Sequence, residues 1–186
     1  MQSLVHVDPQ RCEQVATVLR SAPIPVSSEE FSRSGMTDDV AGNFLLIAVS
    51  ICHQTQNLCG TVQGHWMRGW DYLVATLARA VRNDTFSLRP LDWIGLTDDN
   101  VMLLFQSEDG KTTLTEPGVR ASLIRDIGSV MSGEGWTSLR DLYRLSCQKA
   151  LSGGNAFFVS LERFRAYRDP VRKKSLYLGV FVVSYG

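Results

Sequence analysis

The sequence has few cysteines, no excess of charge of one sign and no long hydrophobic run. Four cysteines in 186 residues are too few for a small disulfide scaffold, and no cationic-then-apolar signal opens the chain, so we expect a reduced, cytoplasmic protein. Nineteen basic residues balance nineteen acidic ones, which removes any general attraction to polyanions. The longest apolar run, residues 44–49, is far shorter than the ~20 residues that span a bilayer, so we expect no membrane partner.

What is present is an ordinary globular composition with clear helix signals. Hydrophobic residues make up 44% of the chain and charged residues 20%, as in a folded domain of this length. Caps followed by apolar residues at spacings of three and four mark the predicted helix starts. These starts are Asp8, Thr37, Trp66, Thr97, Thr115, Thr137 and Asn155. We therefore predict one all-α globular domain over residues 1–186, with about seven helices.

One predicted helix is apolar on nearly all sides and forms the centre of the domain. It begins after Thr37, or alternatively near Asn43 because Gly42 weakens the turn before it, and it closes at Gly60. A helix with no polar face is a buried one. The other helices are expected to pack around it.

The C-terminal residues 176–185 are rich in Val, Phe and Tyr, which favours a short extended tail. A lone strand cannot satisfy its own hydrogen bonds. The tail therefore pairs with residues 4–7, pairs with a second chain, or begins an element that the sequence does not complete. The oligomeric state stays open for the same reason.

A polar cluster follows the apolar part of the central helix. His53, Gln54 and Thr55 lie at its C-terminal end, where each unsatisfied buried polar group costs about 1–3 kcal/mol. These side chains either form a satisfied network in the core or face a pocket for a polar ligand. Trp70 and Tyr72 can wall such a pocket, since aromatic faces stack on any base, or they pack in the core.

Basic residues accumulate in the C-terminal part of the chain. They are Arg163, Arg165, Arg168, Arg172, Lys173 and Lys174. Interleaved with Phe164 and Tyr167, they either bind phosphate groups of a nucleotide or nucleic acid or form a solvated face. Cys52 and Cys59 lack the short spacing of zinc ligands, so neither a metal nor a cofactor is predicted.

The segment Leu-Leu-Ile-Ala-Val-Ser-Ile-Cys-His-Gln-Thr-Gln, residues 45–56, resembles the buried helix of helix-hairpin-helix DNA glycosylases. In that family an apolar run ends in Gln-Gln-Thr-Gln or a related sequence. The second Gln of the motif enters the duplex beside the extruded base, and Gln54 is the matching position. The resemblance covers about a dozen residues and implies a base-binding site at this helix end.

A longer resemblance is to queuosine salvage proteins, which look like relatives of the same glycosylase fold. It rests on the order of Trp70-Asp71-Tyr72, Thr97-Asp98-Asp99, an arginine-bearing helix at 120–128, and Phe164-Arg165-Ala166-Tyr167-Arg168-Asp169. Those proteins cleave the N-glycosidic bond of a modified 7-deazaguanine nucleoside or its 5′-phosphate. Asp169 lies where that family carries an Asp after Phe-x-x-Phe-x.

The resemblance implies chemistry at an N-glycosidic bond, in which a carboxylate faces an oxocarbenium-like sugar. Asp169 is the candidate for that role and Asp71 a second one, while His53 and Gln54 bind or protonate the leaving base. The Gly-rich hairpin loop of the glycosylases and the Lys-Arg-Ala-Gln motif of the salvage family are absent. The chain is therefore a branch with different chemistry or an incomplete glycosylase-like domain; the alternative function is a non-catalytic helical interaction module.

Overall fold

A computed structural model describes residues 8, 10, 11, 13, 14, 17, 36–146, 156–169, 173–176, 178 and 179. In chain order its elements are α1 (Asp38–Ser50), β1 (Cys59–Val62), β2 (His65–Arg68), α2 (Gly69–Arg82), α3 (Pro90–Trp93), α4 (Asp98–Leu104), α5 (Pro117–Gly133), α6 (Leu139–Leu145) and α7 (Phe157–Leu161). Single 3-10 turns lie at Thr55–Asn57 and Arg165–Tyr167. The fold is mostly helical, and no helix in these ranges has both the length and the apolarity needed to cross a bilayer.

Helix α1 is the buried centre of the fold, as its apolar sequence predicts. Every residue from Asn43 to Ile51 is at most 4% exposed. The helix begins at Asp38, so Gly42 lies inside it and the alternative start at Asn43 is wrong. A Cβ on Gly42 would lie 3.3 Å from the Cβ of Leu139, so glycine at this position lets α6 pack closely against α1.

The predicted continuation of the central helix to Gly60 is wrong. The helix ends at Ser50, and Gln54 adopts a left-handed backbone conformation with φ 51° and ψ 41°. This conformation turns the chain out of the helix and into the 3-10 turn at Thr55–Asn57. Gly60 belongs to strand β1.

Two buried polar side chains fasten α1 to distant parts of the chain. Asn43 donates from Nδ2 to the carbonyls of Leu88 and Thr137, at 3.0 and 2.9 Å, and its Oδ1 accepts from the N–H of Leu139 at 2.9 Å. Tyr167 donates from its buried hydroxyl to the carbonyl of Leu46 at 2.7 Å. Because both groups are fully engaged, burial of their polar atoms does not destabilise the core.

A short hairpin corrects the prediction of a purely all-α domain. Strands β1 and β2 pair antiparallel, with Val62 opposite His65, where the sequence predicts a loop and the first turn of a helix. Gln63 and Gly64 both have positive φ, 53° and 75°, which is the geometry of the two-residue turns that match strand twist. Helix α2 consequently begins at Gly69 and not near Trp66.

Two of the predicted caps, Asp8 and Thr97, form as expected. Thr37 precedes α1 without a side-chain cap bond, and the cap positions of α5 and α7 are Glu116 and Ala156 instead of Thr115 and Asn155. The Oδ1 of Asp8 accepts hydrogen bonds from the main-chain N–H groups two and three residues later. Thr97 and Asn100 form a reciprocal capping box that starts α4. Helix α6 has the same arrangement, but its cap is Ser138 with Asp141, one residue later than predicted.

The predicted C-terminal extended tail is wrong for the part that the structure describes. Residues 173–176, 178 and 179 are helical, and Leu178 is fully buried. Asp169 accepts from the N–H of Lys173 at 2.6 Å at the start of this helical segment. The predicted helix from Asn155 to Asp169 is likewise shorter, since α7 ends at Leu161. Residues 4–7, a predicted pairing partner, and residues 180–186, most of the predicted tail, lie outside the described residues.

Candidate functional site

The C-terminal end of α1 brings together side chains from three parts of the chain. Cys52 and His53 follow the helix and are partly buried, and the side chain of His53 is 23% exposed. Gln54 is exposed, because its left-handed backbone directs the residue away from the core. Thr55 is partly buried at the start of the 3-10 turn.

Arg120 is the site residue that the sequence reading misses. It lies on the first turns of α5 with 0% exposure, and its guanidinium donates from Nη2 to the carbonyl of His53 at 2.6 Å and from Nη1 to the carbonyl of Thr115. A buried arginine that bonds two main-chain carbonyls joins the segments to which they belong. Arg120 therefore connects the end of α1 to the start of α5.

The observed inward face of α5 is rotated from the one that its sequence predicts. Apolar residues at 119, 123, 127, 130 and 131 predict an inward Val119. Val119 is instead 47% exposed, and Arg120 lies inward with Ile124, Ile127 and Met131. Spacings of four, three and four put these residues on one side of a helix. That spacing, with an arginine at its N-terminal end, is the sequence signal that would have found Arg120.

The third part of the site is the helical segment after Asp169. Lys174 donates from Nζ to the carbonyl of Ser50 at 2.5 Å, which places its ammonium group at the end of α1. Asp169 lies near enough to Lys174 to influence its pKa. Lys174, which is partly buried, therefore lies close enough to both Asp169 and His53 to influence pKa values at this end of α1.

Burial and positive charge keep the imidazole of His53 neutral. Burial of the ring, followed by the charges of Arg120 and Lys174, lowers the pKa of His53 from 6.5 to about 4. Burial also lowers the pKa of Lys174 and raises the pKa of the Cys52 thiol. At neutral pH His53 is therefore a neutral hydrogen-bonding group and Cys52 a protonated, unreactive thiol.

Glu116 faces the imidazole from the start of α5. Its Oε2 lies 3.9 Å from Nε2 of His53, and its backbone is left-handed, with φ 53°. A non-glycine residue in this conformation is strained by about 1–3 kcal/mol, and such strain concentrates at functional sites. Glu116 is a second site residue that the sequence reading does not include.

Unpartnered polar atoms gather at this site. Among the described residues, the buried side-chain atoms without a hydrogen-bond partner are His53 Nε2, Arg120 Nε, Asp169 Oδ1 and Ser175 Oγ. Ser175 follows Lys174 directly, so all four belong to the three segments that meet at the end of α1. Native proteins leave few buried polar groups unpaired, and a cluster of them marks a place where a polar ligand or water completes the hydrogen bonding.

The structure does not bring Tyr72 to this cluster. Its buried hydroxyl donates to the carbonyl of Phe105 at 3.2 Å, and burial raises its pKa against the opposing charge of Arg79. Asp71 is exposed in the first turn of α2, and Trp70 is partly buried against the core. Tyr72 instead supports the hairpin, because a Cβ on Gly60 would lie 2.8 Å from its ring.

Several of the predicted phosphate-binding residues contact the protein itself. Arg163 donates to Oε1 of Glu134 at 2.6 Å and lies over the ring of Trp136, 5.4 Å from its centre. Arg168 donates to the carbonyls of Glu162 and Arg163 at 2.7 and 3.0 Å. The guanidinium groups of Arg163 and Arg168 therefore bind groups of the protein itself, at the surface beside α7.

The other basic residues divide between the surface and the site. The side chains of Arg165 and Lys173 are exposed, and the main-chain N–H of Arg165 donates to Oδ2 of Asp126 at 2.8 Å. Lys174 alone of the described basic residues in this run reaches the end of α1. Arg172 lies outside the described residues.

Two surface cavities lie elsewhere in the described part of the fold. Their volumes are about 520 and 780 Å³, and both are lined by Asp84, Phe86 and Ser87, in the segment after α2. Neither is lined by His53 or Asp169. In the parts of the chain that the structure describes, no group of three His, Cys, Asp or Glu side chains is arranged to hold a metal ion.

No known protein family matches this sequence, and no curated protein matches it. The likeness to the glycosylases therefore rests on the residues of this chain alone.

Proposed function

We propose that this protein is an N-glycosylase-like protein that binds a nucleobase or nucleoside at the end of α1 and hydrolyses its N-glycosidic bond. The observation that carries the proposal is that four buried polar atoms, from His53, Arg120, Asp169 and Ser175, have no hydrogen-bond partner among the described residues and belong to the segments that meet at the end of α1. They include acceptors and donors, which is the mixture that the edge of a nucleobase requires.

Asp169 is the proposed catalytic carboxylate. Cleavage of an N-glycosidic bond builds positive charge on the sugar, and a carboxylate close to the sugar stabilises that charge. One oxygen of Asp169 is held by the N–H of Lys173, while the other is buried and has no partner in the described part of the chain. The held oxygen fixes the group and leaves the other for the substrate.

His53 binds the leaving base in this proposal and does not protonate it. With a pKa of about 4, its imidazole carries no proton to give at neutral pH. It can still form a hydrogen bond through Nε2, which has no hydrogen-bond partner among the residues that the structure describes. Gln54 is exposed beside it and is placed to contact the part of the substrate that remains outside the site.

The test is base release by the wild type and by Asp169→Asn. Asparagine keeps the shape of the side chain and can still accept from Lys173, so the variant should fold while losing about 100-fold or more of the activity. Asp141→Asn is the matched control, because Asp141 also accepts main-chain hydrogen bonds at a helix start but lies at α6. Its activity should stay close to that of the wild type.

The assay separates free base from nucleosides, their 5′-phosphates and duplex oligonucleotides that carry 7-deazaguanine or other modified bases. Release by the wild type and by Asp141→Asn, with loss in Asp169→Asn, supports the proposal. Equal release by all three proteins refutes the role of Asp169. Binding of nucleosides without release of base by any of the three would favour the non-catalytic module.

A further inference from the structure

Arg120 is a buried arginine whose guanidinium forms hydrogen bonds to the main chain of two segments of the site. It is completely buried, and its two terminal nitrogens donate to carbonyls that are far apart in sequence, those of His53 and Thr115. No carboxylate lies within ion-pair distance of its guanidinium among the described residues. A buried arginine without an ion-pair partner is costly, so these main-chain bonds must compensate for its desolvation.

The two segments joined by Arg120 are both constrained. Glu116, which follows Thr115, has a left-handed backbone, and so does Gln54, which follows His53. Each segment would relax toward ordinary backbone angles if nothing held it. The guanidinium holds the two carbonyls in a fixed relation, because its donors form a rigid planar fork.

We propose that Arg120 is the positioning residue for His53: its guanidinium fixes the main chain at His53 against that at Thr115, and so sets the imidazole beside Glu116 and Lys174. As a consequence, the imidazole of His53 has a single position relative to Glu116 and Lys174. A lysine at this position carries the same charge but lacks the fork, so it cannot hold both carbonyls in the same geometry.

The test uses the full chain and measures the protonation of His53 by NMR at a series of pH values. The His53 signal is assigned by its loss in His53→Gln. In Arg120→Gln the midpoint should rise from about 4 by about one unit, because the cation and the enclosure of the ring are both lost. In Arg120→Lys the positive charge remains, but the midpoint should still rise, because the segment that carries His53 opens to water and the ring is less buried.

The matched control is Arg125→Gln on the same helix. Arg125 also donates to a main-chain carbonyl, that of Leu96 at 2.6 Å, but it faces α4 and not His53. Its replacement should leave the His53 midpoint unchanged. A wild-type midpoint in Arg120→Lys would show that charge alone matters and would overturn the positioning role.

A measurement on the wild type keeps the proposal testable if the Arg120 variants do not fold. The Nη protons of Arg120 should exchange slowly with water and show nuclear Overhauser effects to the main chain of both His53 and Thr115. Rapid exchange without these effects would refute the proposal. One further readout rests on the proposed function. If the protein cleaves its substrate, Arg120→Lys should lower turnover tenfold or more with little change in KM. The NMR results stand even if no substrate is cleaved.

Discussion

His53 makes the protein less stable in acid, and the structure sets the pH range. Its pKa is lowered from 6.5 to about 4 by burial and by the charges of Arg120 and Lys174. As the pH falls through 6.5 the unfolded chain takes up a proton, whereas the folded protein stays neutral until about pH 4. The unfolded state therefore binds more protons in this range, and the free energy of unfolding falls as the pH is lowered from 6.5 to about 4.

The size of this loss follows from the same shift. Between about pH 7 and about pH 5 it amounts to about 2 kcal/mol. The side chain of His53 is 23% exposed, so solvent screening reduces the expected value to about 1.5 kcal/mol. In His53→Gln this contribution is absent, since glutamine does not titrate.

Urea unfolding followed by circular dichroism at these two pH values measures the effect. The wild type should lose about 1.5 kcal/mol more than His53→Gln on going to the lower pH. His65→Gln serves as the control, because His65 is exposed on β2, and it should lose as much as the wild type. Equal losses in the wild type and in His53→Gln would refute the argument that His53 is held neutral by its surroundings.

Two further predictions concern contacts between elements of the fold, one between α3 and α5 and one between Tyr167 and the central helix. A Cβ on Gly128 would lie 2.7 Å from the carbonyl oxygen of Pro90, so Gly128→Ala should lower the free energy of unfolding by about 1–2 kcal/mol despite the better helix propensity of alanine. The control is Gly133→Ala on the same helix, where an added Cβ would lie within 4 Å of no other atom, so this change should be neutral or stabilising. Equal effects of Gly128→Ala and Gly133→Ala on urea unfolding would contradict the close contact of α3 and α5. Tyr167→Phe removes the bond to Leu46 and should lower the free energy of unfolding by about 1 kcal/mol with an unchanged urea dependence, and a wild-type midpoint would show that the bond contributes nothing.

The sequence predicts the central helix and the caps at Asp8 and Thr97 because these depend on neighbouring residues. The apolar run after Asn43 has no polar face, so it can only be buried, and Thr97 meets Asn100 within one helical turn. The hairpin escapes prediction because its strands have four residues each and do not alternate clearly between apolar and polar. The Gln63–Gly64 turn is a weaker signal than Asn-Gly.

The C-terminal segment is predicted only from local preference. Of the predicted tail at 176–185 the structure describes Leu176, Leu178 and Gly179, which are helical, and Leu178 is fully buried. At these positions packing against the fold, which a single sequence does not show, decides the conformation. Of the site, the sequence yields His53 and Asp169, while Arg120 becomes visible only when the inward face of α5 is fixed by its neighbours.

The bond from Lys174 to the carbonyl of Ser50 spans 124 residues and has a consequence for biosynthesis. At about 5–20 residues per second, a ribosome needs on the order of 6 to 25 seconds between making the two partners. During that interval helix α1, which is buried in the folded protein, has emerged without Lys174 at its end and without Tyr167, whose hydroxyl bonds the carbonyl of Leu46. The apolar surface of α1 is therefore exposed to aggregation until translation brings the C-terminal part of the fold within reach.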